Sequence, residues 1–381
     1  MILKDNVFNL SIVDTNVLKG IAIIAMLCHH SFDGLPENIE KFPFFLTCLA
    51  VVGKVCVSLF LFCSGYGLTV QYRKIYEKYD VISEKVSISI KFLFKRLTKF
   101  YSSYWFVFII FVPLGILLFD RTLEDAYGLN MNVYKRLFYD FLGLQGYLSY
   151  NATWWFNKLI IIFYIIFPII FYISKKIGLG GIVLSIFIML ISNKLNKLNY
   201  YELLIWQLPF VLGVYYALYQ SQLQKLTKYV VKYNILLSGF TLVLFVFFVC
   251  QRIFGFIPFD NLKGIRIDAF IALTIIFAYI LIKINLDVSN NIVFKKLSNL
   301  GLHSNNIYLI HTFFYLYFVV THELLYNTFL RTAGINMLIL LVLCYFISFI
   351  LEFIKDKVYW NKLTIKIIEK IDKYNINLKK L

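Results

Sequence analysis

A lysine and a histidine, Lys19 and His30, stand eleven residues apart in LKGIAIIAMLCHHSF, a stretch that is otherwise almost wholly apolar. An ionisable group inside a bilayer costs about 2.5 to 3.5 kcal/mol on insertion scales, so it normally faces a cavity or a partner and marks function by default. If the stretch is one helix, eleven residues at about 100° each return to within about 20° of the starting face and rise about 16 Å. Lys19 and His30 then share a face, while His29 points about 80° away. A histidine titrates near neutrality and can act as a general base, and Asp33, one turn further on, could fix its tautomer. The structural alternative is a histidine satisfied within the helices or at the outer interface, which is the preferred reading for His29.

Four other segments carry polar groups in suggestive places. KRLTKFYSSYWFV sets Arg96 and Lys99 three residues apart, on one helical face, where both could grip a phosphate; an anchor at the membrane surface explains them equally well. SGYGL, from Ser64 to Leu68, has two glycines that permit close backbone approach to a ligand or, more simply, to a neighbouring helix. In NATWWFNKLIIIFYIIFP, Trp154 and Trp155 could stack on sugar rings or could belong to an interfacial aromatic belt, and Lys158 can snorkel to the surface. NNIYLIHTFFY brings Tyr308 and His311 to one helical face, with a packed, satisfied histidine as the plainer reading. Glycine-rich phosphate loops, zinc-ligand spacings and a G-x-S-x-G elbow are absent, and no metal is expected.

The elements that must position these residues are membrane spans. Of the 381 residues 60% are hydrophobic and 15% charged, with a mean hydropathy of +0.74, which excludes an ordinary soluble domain. Apolar stretches long enough to cross about 30 Å of hydrocarbon recur from end to end. They fall near residues 17–33, 46–71, 100–119, 153–173, 177–192, 200–219, 233–251, 266–283, 305–326 and 335–354, the fifth being the shortest. The expected fold is therefore all-α, a polytopic transmembrane helical bundle of about ten spans. Most of the 38 Lys and Arg lie at the termini and in alternate loops, above all in 72–99 and after 355, so the positive-inside rule puts both termini in the cytoplasm.

The net charge of +17 is thus mostly topological, and nucleic acid is not an expected partner because there is no compact soluble basic domain to bind it. Residues 1–16 lack a basic leader, so the first span is expected to be retained. The six cysteines, without metal-type spacing, read as small apolar residues. One integral membrane domain is expected over 1–355, followed by a basic cytoplasmic tail over 356–381 that reads as a surface helix drawn to anionic lipid. In the largest outer loop, near 120–152, YKRLFYDFLGL reads as an amphipathic helix lying along the interface. No internal repeat is evident, which weakens an inverted-repeat transporter.

Taken in order, these segments resemble the acyltransferase-3 family of integral membrane acyltransferases, which includes O-acetyltransferases of bacterial surface polysaccharides. LKGIAIIAMLCHH resembles the family's opening motif of an arginine, ten residues and a histidine; SLFLFCSGYGL resembles its Ser-Gly element; and KRLTKFYSSYW its basic segment. LGLQGYLSYNATWWFNKLIIIFYIIFP is similar to the family's Trp-rich stretch, and LGLHSNNIYLIH to its late Tyr-Leu-x-His segment. The resemblance spans roughly residues 14–355. It implies a multi-pass enzyme of the cell membrane, in bacteria the cytoplasmic membrane, that transfers an acyl group from acetyl-CoA to a hydroxyl of a glycan.

Residue by residue, the resemblance places His30 on the essential histidine, Lys19 on the arginine, and Arg96 and Lys99 on the paired basic residues that hold the donor, with Ser64 beside them. Trp154, Trp155, Tyr308 and His311 fall to the acceptor. Two departures stand out. Lysine occupies Lys19 and the second basic site, and lacks the planar fork that grips phosphate bidentately. Ile160 and Ile161 stand where many relatives carry acids, so a carboxylate role cannot be transferred. Membrane lipids and a glycan acceptor are the expected partners, with a homodimer left open. The rival from another class is a glycan or lipid transporter or flippase, for which many spans and buried ionisable residues are also natural.

Overall fold

The computed structural model describes residues 7–32, 44–118, 120–129, 132–192, 201–257, 266–288, 290–317 and 335–373, and every described element is helical. In chain order these are α1 (Ile12–Phe32), α2 (Phe44–Gly53), α3 (Val55–Tyr76), α4 (Ile82–Leu118), α5 (Leu123–Tyr127), α6 (Val133–Phe141), α7 (Trp155–Ile177) and α8 (Gly180–Ile191). There follow α9 (Tyr201–Leu218), α10 (Gln220–Gln224), α11 (Thr227–Lys232), α12 (Asn234–Phe254), α13 (Asp268–Asn285), α14 (Ile292–Leu302), α15 (Ser304–Thr312), α16 (Ile335–Lys357) and α17 (Trp360–Lys373).

Among the described residues eight helical stretches are long and apolar enough to cross a membrane: Ile12–Phe32, Phe44–Tyr76, Ile82–Leu118, Ala152–Ile177, Tyr201–Leu218, Asn234–Phe254, Asp268–Asn285 and Asn336–Lys357. These correspond to eight of the ten sequence expectations. The expected span at 177–192 becomes α8, 12 residues long and too short to cross alone. That at 305–326 is α15 running into a π-helical turn, Phe313–Tyr317, and its remainder lies outside the described residues. The second span is broken by a turn at Lys54.

The third span differs most from the hydropathy reading. The basic segment before it is no loop from Ile82 onward, since α4 runs for 37 residues and carries Lys85, Lys91, Lys95, Arg96 and Lys99 in its first half. Two of its lysines, Lys91 and Lys95, meet the tail at Asp372. Helix α17 lies against α4, with Trp360 Nε1 donating to the Ser102 carbonyl at 2.9 Å and Lys95 ion-paired with Asp372. The tail is thus helical over Trp360–Lys373 and has a protein partner as well as the exposed apolar side chains Leu363, Ile365 and Ile367.

The chain divides into two compact units. The first comprises Met1–Val70 with Ile170–Ser304, the second Gln71–Ile169 with Asn305–Leu381. In the first, α1 packs against α14 and α2, α12 against α13, and α8 against α9. In the second, α4 carries α17, while α5, α6 and the short 3-10 turns at Gly146–Leu148 and Ala152–Trp154 pack beside it. Small residues set the closest approaches, as helix contacts in lipid require.

Candidate functional site

In the first unit, Lys19 and His30 lie on one uninterrupted helix, α1, so the eleven-residue spacing has the expected geometry: a shared face and a separation along the axis of about 16 Å. Both side chains are half-buried. Three glycine contacts fix the helix that carries them. A Cβ on Gly20 would lie 2.9 Å from the carbonyl carbon of Leu297 on α14 and closer still to its oxygen. Reciprocally, a Cβ on Gly301 of α14 would lie 2.7 Å from the carbonyl carbon of Asn16. Nearer the other end, a Cβ on Gly53 of α2 would meet the His29 backbone nitrogen at 2.9 Å.

The start of α1 is tied down electrostatically. Asp14 is buried, accepts from the Ser11 backbone N–H at 2.7 Å and from the Tyr279 hydroxyl, and pairs with Lys283 Nζ at 2.8 Å. A carboxylate placed this deep needs such partners to offset its lost hydration. Asp14 drew no functional reading from the sequence because Tyr279 and Lys283 lie far along the chain.

The two adjacent histidines differ in their contacts. His29 Nδ1 lies 2.9 Å from the carbonyl of Ala50, and because a carbonyl only accepts, Nδ1 carries the hydrogen. His29 therefore cross-links α1 and α2, as its position off the Lys19 face suggests. The His30 ring stands 4.8 Å from the His29 ring, centroid to centroid. Asp33, the expected tautomer partner of His30, lies outside the described residues. Ser64 is half-buried on α3. Its neighbours separate: a Cβ on Gly65 would lie 3.1 Å from the carbonyl carbon of Phe210 on α9, whereas one on Gly67 would meet nothing within 4 Å. Gly65 serves helix packing, and Gly67 adjoins open space.

In the second unit, Arg96 is held against α7. Its Nη2 donates to the Tyr164 hydroxyl at 2.8 Å and its guanidinium lies 4.7 Å from the centre of that ring. Stacking on an aromatic face is a use of arginine that lysine reproduces poorly. Lys99, three residues on, is exposed.

The aromatic segment corrects two sequence expectations. Trp154 is no sugar platform, since it is 1% exposed, donates Nε1–H to the Leu309 carbonyl at 3.0 Å, and is enclosed by the rings of Tyr104, Phe108 and Phe313. Trp155 is only half-buried and stacks on Tyr147 at 5.1 Å. His311, likewise, is fully buried, with Nδ1 2.8 Å from the Tyr308 carbonyl and Nε2 3.2 Å from the Thr312 hydroxyl. The Tyr308 hydroxyl donates to the Thr153 carbonyl at 2.9 Å, and the Thr153 and Thr312 hydroxyls meet at 2.9 Å. Tyr308 therefore ties α15 to the 3-10 turn that leads into α7, whereas these bonds of His311 stay within α15.

A carboxylate that the sequence left on an interfacial helix turns out to be the hub of this region. Asp140 is fully buried, while its helix neighbours Tyr134 and Phe138 are 76% and 60% exposed, so α6 offers its apolar residues outward and its acid inward. Asp140 accepts from the Tyr127 hydroxyl at 2.8 Å and the Tyr150 backbone N–H, while Tyr104 donates to its backbone carbonyl at 2.6 Å. Burial pushes its carboxyl up to about 6, opposed by the donors around it. No local periodicity could have revealed this, because the donors come from α4, α5 and the bend between the two 3-10 turns.

These elements define a polytopic, all-helical, multi-pass membrane protein with ionisable residues placed within its spans. The family model described as "Acyltransferase domain", that of the acyltransferase-3 family, matches residues 12–354, from the first residue of α1 into α16. The chain belongs to this family of membrane acyltransferases. No curated protein and no solved structure matches it.

Proposed function

We propose that the protein transfers an acyl group, acetyl in the simplest form, from acyl-CoA to a hydroxyl of a cell-surface or lipid-linked glycan. His30 is the general base: it accepts the proton as the acceptor oxygen attacks the thioester carbonyl carbon, and the carbon–sulfur bond breaks to release CoA, which takes up the proton as its thiol. A transient acyl-histidine is the two-step variant of the same chemistry. Lys19, Arg96 and Lys99 are assigned to the phosphates of the donor, Ser64 to its approach, and Trp155 to the acceptor. With the positive-inside orientation, both termini are cytoplasmic and the membrane is the bacterial cytoplasmic one.

The observation that supports this reading best is the division of labour on α1 within a chain of this family. His29 is committed to Ala50, whereas His30 lies on the Lys19 face. The experiment is incubation of the purified protein with radiolabelled acetyl-CoA and a polysaccharide acceptor. His30→Ala is expected to abolish label transfer while keeping the wild-type melting profile, and His29→Ala to retain transfer. Wild-type transfer by a folded His30→Ala protein would overturn the assignment.

A further inference from the structure

A groove of about 410 Å³ opens within the first unit between α1, α12, α13 and α14. Its wall includes Ile21, Leu242, Phe245, Ile275, Ala278 and Ile282. Four hydroxyl residues also line it, but their donors are spent elsewhere. Thr241 donates to the Leu237 carbonyl and Thr274 to that of Ile271, both at 2.7 Å, Ser238 points to Asn234, and Tyr279 donates to Asp14. Water entering the groove would find few of the two to four partners it needs, so the cavity favours hydrocarbon. Its three longest walls, α1, α12 and α13, are membrane-crossing helices, which puts lipid chains within reach.

One end of the groove is basic. Ser238 lies near the start of α12 and Asn285 at the end of α13, so these mark the same end. There α11, which leads into α12, carries exposed Lys228 and Lys232. Basic residues beside a hydrocarbon slot suit a phosphate headgroup. The groove is also separate from the face of the reactive pair. Ile21, the α1 residue in its wall, is two residues from Lys19 and nine from His30, which turns it about 160° to 180° from both.

We propose that this groove holds one hydrocarbon chain of an anionic membrane phospholipid whose phosphate rests against these lysines. The bound lipid fills the gap between α1 and the α12–α13 pair and so stiffens the rear of the helix that carries Lys19 and His30. It is not the acyl acceptor, because its seat faces away from both.

The test is native mass spectrometry of the full-length protein, delipidated in detergent and then titrated with phosphatidylglycerol, phosphatidylcholine or a polyprenyl phosphate. Wild type is expected to retain one phosphatidylglycerol in preference to phosphatidylcholine. Ala278→Trp fills the groove and should lower that retention by about tenfold or more, since even two displaced methylenes carry that much binding. Lys228→Gln combined with Lys232→Gln should abolish the preference for the anionic lipid while leaving chain binding, and this pair, outside the packed core, covers the case in which Ala278→Trp does not fold. Undiminished phosphatidylglycerol retention by folded Ala278→Trp would overturn the proposal. So would an unchanged headgroup preference in the lysine variant, or displacement of the phospholipid by equimolar polyprenyl phosphate, which would make the groove an acceptor-lipid site.

Discussion

Replacing Gly20 or Gly301 with alanine sets two opposing effects against each other. Inside a helix, Gly→Ala gains about 0.8 to 1.0 kcal/mol of propensity. At these two positions, however, the new methyl meets backbone: 2.9 Å from the Leu297 carbonyl carbon for Gly20, 2.7 Å from that of Asn16 for Gly301, and nearer still to each oxygen. Ordinary contact begins at 3.4 Å, and a backbone carbonyl, unlike a side-chain tip, cannot swing aside. Helices α1 and α14 must therefore part by on the order of 1 Å, with an overpacking cost of about 1 to 3 kcal/mol. The clash outweighs the propensity gain, and each variant should be less stable than wild type. Because one separation relieves both contacts, the double variant should cost less than the sum of the singles.

The consequence for activity is larger than for stability, since a displacement of about 1 Å at a reacting group can cost on the order of 100-fold in rate. Gly67→Ala is the matched control, because a methyl there meets nothing within 4 Å and only the propensity gain applies. The assay is the apparent melting midpoint in detergent together with the initial rate of acetyl transfer. Gly20→Ala and Gly301→Ala should fall below wild type in both, and Gly67→Ala should match or exceed it in midpoint. Midpoints for Gly20→Ala and Gly301→Ala at or above that of Gly67→Ala would refute the view that direct backbone contact positions α1.

Four further outcomes are expected. Trp154→Ala should cost about 3 to 5 kcal/mol because it empties an enclosed aromatic site and removes a hydrogen bond to the Leu309 carbonyl, whereas Trp155→Ala should leave the midpoint nearly unchanged and act on acceptor KM. His29→Ala should lower stability by about 1 kcal/mol through loss of the Ala50 bond, with transfer largely intact. Arg96→Lys should raise the KM for acyl-CoA with kcat little changed, and Tyr164→Phe should shift it in the same direction; an unaltered KM in both would remove Arg96 from donor binding. Asp140 has a carboxyl held near 6 in the folded chain, above its ordinary 3.8, so the native state takes up its proton first and wild type gains stability as pH falls through 6. Asp140→Asn cannot titrate, so between pH 7.5 and 5 wild type should gain on it by on the order of 1 kcal/mol in paired melting curves, and parallel curves would count against the buried carboxylate.

What the sequence disclosed and what it hid follow from the range of the interactions concerned. Lys19 and His30 are legible because an apolar background and a helical period are local properties, and α1 preserves both. The spans are legible for the same reason. Hydropathy failed at residues 82–99, where lysines suggested a loop, because charge says where a segment meets the surface and not whether the helix continues. Trp154 and Asp140 were misplaced for a different cause. A tryptophan beside a membrane boundary and an acid on an amphipathic helix have ordinary surface explanations, and only non-local partners contradict them: the Leu309 carbonyl for one, Tyr104 and Tyr127 for the other.

The same contrast bears on how α1 is built for chemistry. Lys19 and His30 are specified by local pattern, yet nothing local holds them still, since a largely apolar helix can rotate in lipid at small cost. Rotation is stopped by contacts that no hydropathy window registers: Gly20 and Gly301 at the α14 seam, Gly53 and the His29–Ala50 bond at α2, and the Asp14–Lys283 pair at the first turn. These contacts act on both halves of the helix and on more than one side of it. Together they hold the bearing of the face that carries Lys19 and His30, and His29, the residue next to His30, supplies one of them.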